Sequence, residues 1–205
     1  MKYPNQKFEE TLHQEGYWHI AGVDEVGVGS LAGPVLAAAV ILPRKTRITG
    51  IKDSKKLSAQ QRNILFKEIE MEAIAIGVGI VDEKIIDEIN ILKASQLAMK
   101  IAIESLEIKP EYLLIDGRNK IEIDLPQQPI IKGDNKCISI AAASIIAKVI
   151  RDKIMDNFSL SLATYGFQKN KGYGTQSHLA ALLKYGPSPI HRQSYAPVIS
   201  SLKTS

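Results

Sequence analysis

One cysteine, Cys137, cannot form an internal disulfide or build a thiolate metal site, and it reads as a small core filler. No apolar run is long enough to span a bilayer, because the longest, Leu31 to Leu42, is interrupted by Gly33-Pro34. Met1 to Glu15 is polar and lacks the hydrophobic stretch of a secretory signal, which sets the expectation of a cytoplasmic protein away from membranes. Internal repeats, low-complexity tracts and a convincing interdomain linker are also missing. What remains is 205 residues, 45% hydrophobic, enough for one domain with an ordinary core. The formal net charge of +4 permits a polyanionic partner without requiring one.

Against that background one stretch stands out, Ala21-Gly22-Val23-Asp24-Glu25-Val26-Gly27-Val28-Gly29-Ser30. Two adjacent carboxylates lie between an apolar strand-like run and a glycine-rich segment. Neighbouring side chains of a strand point to opposite faces, so Asp24 and Glu25 cannot share one wet face. A buried unpaired carboxylate costs several kcal/mol, and a metal ion, a proton or hydrogen bonds would each relieve it. Gly27 and Gly29 would let backbone amides come close to a phosphate or sugar. A solvated Asp-Glu turn before a flexible loop fits the same letters. Gly27 to Ala32 also fits the G-x-G-x-x-A dinucleotide fingerprint, but Gly33-Pro34 falls where its helix should start. Pro43-Arg44-Lys45 occupies the place of the acidic residue expected about 20 positions on, so that reading is the weaker.

The rest of the chain alternates strand and helix patterns, which indicates an α/β protein. After an amphipathic lead-in over 1–16, Trp18–Asp24 and Val35–Leu42 read as an antiparallel strand pair. Ser58 and Gln61 form a capping box for a helix reaching about Met71. Ala73–Val81 reads as a third strand, Asp82 caps a short helix over 83–89, and Asn90 caps a longer one over 91–107. Ile91, Leu92, Leu97, Ala98, Ile101 and Leu106 are its expected buried stripe. Tyr112–Asp116 is an apolar strand ending in a carboxylate, Pro126–Pro129 a loop, and Ile130–Lys132 a short strand before Gly133-Asp134. The Ala-rich segment from about Ser139 to Asn157 is a helix buried on nearly all sides over its first half, with Ser144, Lys148 and Arg151 on one face.

Six Lys/Arg residues between 44 and 56, including Lys55 and Lys56, form either a solvated face or a phosphate contact. In Lys169-Asn170-Lys171-Gly172-Tyr173-Gly174, a tyrosine among lysines can stack on a sugar or base, or simply pack in a loop. His178 and His191 are candidate acids or bases, though lone histidines are more often ordinary hydrogen-bonded residues.

Taken together the blocks G-V-D-E-V-G-V-G-S-L-A-G-P (22–34), D-S-K-K-L (53–57), L-L-I-D-G (113–117), K-G-D (132–134), A-A-A-S-I-I-A-K-V-I-R-D (141–152), K-G-Y-G-T (171–175), His178 and G-P-S-P-I-H-R-Q-S-Y-A-P (186–197) closely resemble the type 2 ribonucleases H. They follow the family's order and span nearly the whole chain. The resemblance implies a ribonuclease H-like fold, a mixed five-stranded sheet flanked by helices, with additional C-terminal helices. On this basis residues 1–205 form one domain, with a catalytic core over about 17–157, a substrate-contacting part over about 158–197, and a tail over 198–205. It implies cleavage of RNA in RNA–DNA hybrids and of single ribonucleotides embedded in duplex DNA. It places the metal-binding, catalytic carboxylates on Asp24, Glu25, Asp116 and Asp134, and a junction-sensing tyrosine on Tyr173. Gly27, Val28, Gly29, Lys55, Lys56, Ser144, Lys148, Lys171 and Arg192 complete the expected substrate contacts. Mg2+ or Mn2+ suits such an oxygen-rich set. No obligate protein partner is expected, and the chain is expected to act as a monomer. The family usually carries Gly-Arg-Gly where this chain has Gly27-Val28-Gly29, so weaker binding or a changed preference at the RNA–DNA junction is expected. The rival readings are a nuclease for DNA or structured RNA and a binding module that has lost catalysis. The presence of all four carboxylates speaks against the second.

Overall fold

In the computed structural model residues 4–202 are described; the first three residues of the lead-in and the last three of the tail lie outside them. Five strands, β1 (Ile20–Val26), β2 (Val35–Ile41), β3 (Ala75–Val81), β4 (Tyr112–Asp116) and β5 (Gln127–Ile130), form one sheet in the order β3-β2-β1-β4-β5. β1 pairs antiparallel with β2 and parallel with β4, so the sheet is mixed and changes sense at β1. The expected α/β class and five-stranded sheet are what the chain forms.

Helices cover both faces. One carries α4 (Ile91–Glu104) and α3 (Glu83–Ile89), packed on Ala21, Val23, Val35, Ala37, Ile41 and Ile115. The other carries α5 (Ile138–Ser161) and α2 (Ala59–Glu72), packed on Leu36, Ala38 and Val40. Glycines allow the close approach. A Cβ on Gly22 would stand 2.1 Å from the Ser139 carbonyl carbon, and one on Gly77 or Gly79 2.0 Å from an α4 carbonyl oxygen. Helix α1 (Lys7–Gln14) lies across the start of α5, while α6 (Phe167–Asn170), α7 (Gln176–Tyr185) and α8 (Ala196–Leu202) form the C-terminal part.

The Ser58–Gln61 capping box and the Asp82 and Asn90 caps are present. Some local expectations need correction. β5 starts at Gln127 and ends at Ile130, because the strand is set by pairing with Leu113–Asp116 rather than by its own weak pattern. α4 ends at Glu104 rather than 107; of the expected stripe Ala98 and Leu106 are buried and Ile91, Leu97 and Ile101 pack half-buried on the same core, while Ala94, Ser95, Met99, Ala102 and Ile103 supply the rest. Leu92, expected inside, is 59% exposed. The small residues are selected because Gly77 and Gly79 bring the helix backbone too close to the strand for bulkier ones. α5 is buried at every residue from Ile138 to Ala147, as its composition indicated, and extends to Ser161.

Candidate active site

Parallel pairing of β1 with β4 aligns Val23 with Ile115, so the next residues along, Asp24 and Asp116, lie side by side at the carboxyl ends of adjacent strands. This is the place where an open α/β sheet forms a crevice. Strand alternation then separates the acidic pair. Asp24 turns to the α5 face, where the nearby Ser144 hydroxyl favours its charged form, and its Oδ1 accepts the Glu25 amide at 2.8 Å. Glu25 turns to the α4 face and lines a cleft of about 110 Å³ with Ser95, Gln96, Asp116, Arg118 and Asn119. Asp134 reaches the same centre from a short 3-10 turn, Gly133–Asn135, immediately ahead of α5.

The carboxylates are seated on amide donors. Asp116 Oδ1 accepts the Gly133 amide at 2.6 Å, and Asp134 Oδ1 accepts Asn135 Nδ2 at 2.7 Å. Asn135 Nδ2 also lies 3.4 Å from Asp53 Oδ2, and the Ser54 and Ser144 hydroxyls are 3.0 Å apart. The 53–57 block is therefore stitched to the acidic centre by Asp53 and Ser54, whereas the sequence drew attention to its lysines. Lys55 remains exposed among Asp24, Asp53, Asp134 and Tyr173; burial works against its charge, and the carboxylates outweigh it, so its ammonium is held above the usual lysine range. Lys56 pairs with Asp53 at 3.8 Å and bonds Asn135.

Crowded acids compete for charge. Burial, then Glu25 and Asp116, push the Asp24 carboxyl well above the ordinary range, and burial and Asp116 bring Glu25 up to about 7. Asp116 is raised by burial as well. Glu25 Oε2 is buried without a hydrogen-bond partner. An unpartnered carboxylate oxygen in a crowded, oxygen-only set is the demand that a hard divalent cation satisfies. Among the described residues no group of three His, Cys, Asp or Glu side chains is already placed to hold a metal ion.

Beside the acids, Gly27–Ser30 makes a turn in which Gly27 has φ +94°, and a Cβ there would strike Arg151. Gly27 therefore packs, while Gly29 has open space around it. Val28 is 38% exposed, and its carbonyl accepts from Arg192 and the Tyr195 hydroxyl. The Tyr173 ring lies over Lys148 Nζ at 5.8 Å and the Arg151 guanidinium at 5.5 Å, both from α5, and Lys148 also pairs with Asp152 at 2.6 Å.

One expected substrate contact is corrected, and a second, Lys171, is found already paired. Arg192 is fully buried, with its guanidinium donating to the Gly27, Val28 and Gly33 carbonyls, so it holds the loop from behind. The Lys171 ammonium is taken up by Asp156 of α5, and its carbonyl accepts from Arg151. His178 and His191 bond one another, away from solvent. Gln96, Arg118 and Asn119 in the cleft were not singled out by the sequence. The cue available was that Arg118-Asn119 directly follows Asp116-Gly117, where the positive φ of Gly117 (+109°) turns the chain toward Glu25.

A family profile described as Ribonuclease HII matches residues 21–198. The chain belongs to the ribonuclease HII family. Ribonuclease HII of Enterococcus faecalis is 52% identical over 192 residues, covering 94% of this chain and 75% of that one. That of Bacillus licheniformis is 55% identical over 191 residues, covering 93% and 74%. Among solved structures, the ribonuclease H2 of Pyrococcus horikoshii is similar with a TM-score of 0.79 at 27% identity, covering 90% of this chain and 97% of the other. The ribonuclease HII of Archaeoglobus fulgidus, solved in complex with PCNA, gives 0.73 at 27% identity, covering 86% and 95%. As a ribonuclease HII the protein is a metal-dependent endoribonuclease with ribonuclease H activity on RNA–DNA substrates. No helix among the described residues is long and apolar enough to cross a membrane.

Proposed function

We propose that this ribonuclease HII nicks duplex DNA on the 5′ side of a single embedded ribonucleotide as well as cutting the RNA strand of hybrids, leaving 3′-hydroxyl and 5′-phosphate ends. The observation that carries the reading is the meeting of Asp24 and Glu25 of β1, Asp116 of β4 and Asp134 of the 133–135 turn, with Glu25 Oε2 buried and unpartnered. Asp24, Glu25 and Asp116 would hold one Mg2+ or Mn2+, and Asp134 a second ion or its water. Such a pair of ions would supply an attacking water at neutral pH and charge neutralisation at the departing 3′ oxygen.

The chain's own groups prepare that chemistry. The Glu25 amide orients Asp24, the Gly133 amide orients Asp116, and Glu25, raised to about 7 by burial and Asp116, would hold a bound cation as its carboxylate. Lys55 supplies positive charge for the approaching backbone. The exposed rim of Val28 and Gly29 offers backbone atoms to the ribose, and the Tyr173 ring offers a stacking face at the junction. Through Tyr173 the segment after about residue 158 would serve as the substrate-contacting part of the domain.

The test is cleavage of a labelled DNA duplex carrying one ribonucleotide, beside an all-RNA strand hybrid, with magnesium or manganese. A nick 5′ of the ribonucleotide is the expected result. Cleavage of the hybrid alone would overturn the junction reading and leave the general ribonuclease H activity. Asp24→Asn is expected to lower turnover by orders of magnitude with an unchanged fold by circular dichroism; near-normal turnover would remove Asp24 from the chemistry.

A further inference from the structure

A line of hydrogen bonds runs from the 186–191 turn to the backbone of Tyr173 through two buried imidazoles. The Ser188 amide lies 2.9 Å from His191 Nδ1, His191 Nε2 lies 3.0 Å from His178 Nε2, and His178 Nδ1 lies 2.9 Å from the Tyr173 carbonyl oxygen. The two ends fix the protons between them. A backbone N–H can only donate and a carbonyl can only accept. His191 Nδ1 is therefore an acceptor, and the proton of that neutral ring is on Nε2. His178 Nε2 accepts it, which puts the proton of His178 on Nδ1, facing Tyr173. A second proton on His178 would oppose two N–H groups across the ring–ring contact, and one on His191 would oppose the Ser188 amide.

The surroundings favour neutral rings. His178 and His191 are 0% and 1% exposed, and Phe167 and Tyr165 pack against them with centroids 5.3 Å and 4.9 Å away. The Ser188 hydroxyl, 2.8 Å from His191 Nδ1, adds a second possible donor. Tyr173 is held on each side: its amide donates to the Asn170 carbonyl at 2.9 Å, and its carbonyl also accepts the Thr175 amide at 2.8 Å. With His178 both lone pairs of that carbonyl are filled.

We propose that His178 and His191 act as one positioning unit, fixed as the Nδ1–H and Nε2–H tautomers, that holds the Tyr173 backbone so that its ring stands where the RNA–DNA junction is read. The functional half rests on the reading of Tyr173 given above; the tautomers stand independently of it.

Nitrogen-15 NMR of the full-length, histidine-labelled protein at neutral pH reads the tautomers directly. His178 is expected to be protonated on Nδ1 and His191 on Nε2; the opposite assignment, or a doubly protonated ring, overturns the unit. Two substitutions then separate positioning from packing. In His178→Asn the amide nitrogen takes the place of Nδ1 and can still donate to Tyr173. In His178→Gln it takes the place of Nε2 and cannot. His178→Gln is expected to lose about tenfold in preference for the single-ribonucleotide duplex over the hybrid, through KM, with kcat on the hybrid retained, as fits one lost hydrogen bond. His178→Asn is expected to restore that preference to within about twofold. Equal losses in both variants, in step with a lower Tm, would show a packing role and overturn positioning. Tyr173→Ala serves as the control. Unchanged preference in that variant would refute the junction role of Tyr173 and with it the functional half, while the NMR assignment still decides the tautomers.

Discussion

Glu25 concentrates the chemistry of the site in one side chain. Its folded pKa, about 7, lies above the ordinary value of 4.5, so the native state holds a proton that the unfolded chain releases. Its contribution to stability is therefore present at low pH and is lost as pH rises through about 7. In a chelator, Glu25→Gln is expected to melt higher than the wild type at pH 8, by roughly 2–4 °C per kcal/mol recovered, with the gap closing by pH 5. A gap of the same size at both pH values would refute the buried-charge account. In the same cleft Arg118 is exposed beside Glu25 and Asp116. Arg118→Ala is expected to raise KM several-fold, leave kcat nearly unchanged, and lower the salt slope of binding by about one. An unaltered slope would take Arg118 off the substrate face.

Among the elements, α5 bears most of the positioning, since it supplies Ser144 to Asp24 and Lys148 and Arg151 to Tyr173. Its own N-cap, Cys137, makes no side-chain cap. A carboxylate from α1 does so instead: Glu9 Oε1 accepts the Ser139 amide and the Cys137 thiol, both at 3.0 Å. An acidic group at a helix N-terminus is favourable for both hydrogen bonding and the helix dipole. Glu9→Ala is expected to cost about 1–3 kcal/mol in denaturant unfolding, because buried donors lose their acceptor. A loss below about 0.5 kcal/mol would mean that water replaces the carboxylate. The sequence shows Ser58, Asp82 and Asn90 as caps because each sits next to the helix it serves. It cannot show Glu9 as a cap, because 130 residues separate it from Ser139.

At the scale of the molecule, the C-terminal part closes over the glycine-rich loop. Ser30 bridges to Tyr173 and Ala32 to His191, and two fully buried guanidiniums, Arg151 and Arg192, hold the carbonyls of 27, 28, 32–34 and 171. Burial lowers the Arg151 pKa to about 10, so the guanidinium keeps its charge at neutral pH. A lysine cannot reproduce a planar fork reaching three carbonyls. Arg192→Lys is therefore expected to cost several kcal/mol and to speed amide hydrogen exchange across residues 30–33; unchanged exchange there would show that the loop holds without the fork.

Sequence by itself determined the α/β class, the antiparallel start of the sheet, the buried course of α5, the local helix caps and the family to which the ordered blocks point. These depend on periodicity, on capping over three or four residues and on local composition, all of which survive in a one-dimensional reading. It also singled out Asp24, Glu25, Asp116 and Asp134, since each follows a strand-like run. Tertiary structure alone decided which face each of Asp24 and Glu25 serves, that Gly27 makes room for Arg151, and that Arg192 is spent on backbone. It likewise joined His178 to His191 and Glu9 to α5. Those roles depend on contacts between segments far apart in the chain, and a side chain's partner is fixed only when the sheet register and helix packing bring the two together.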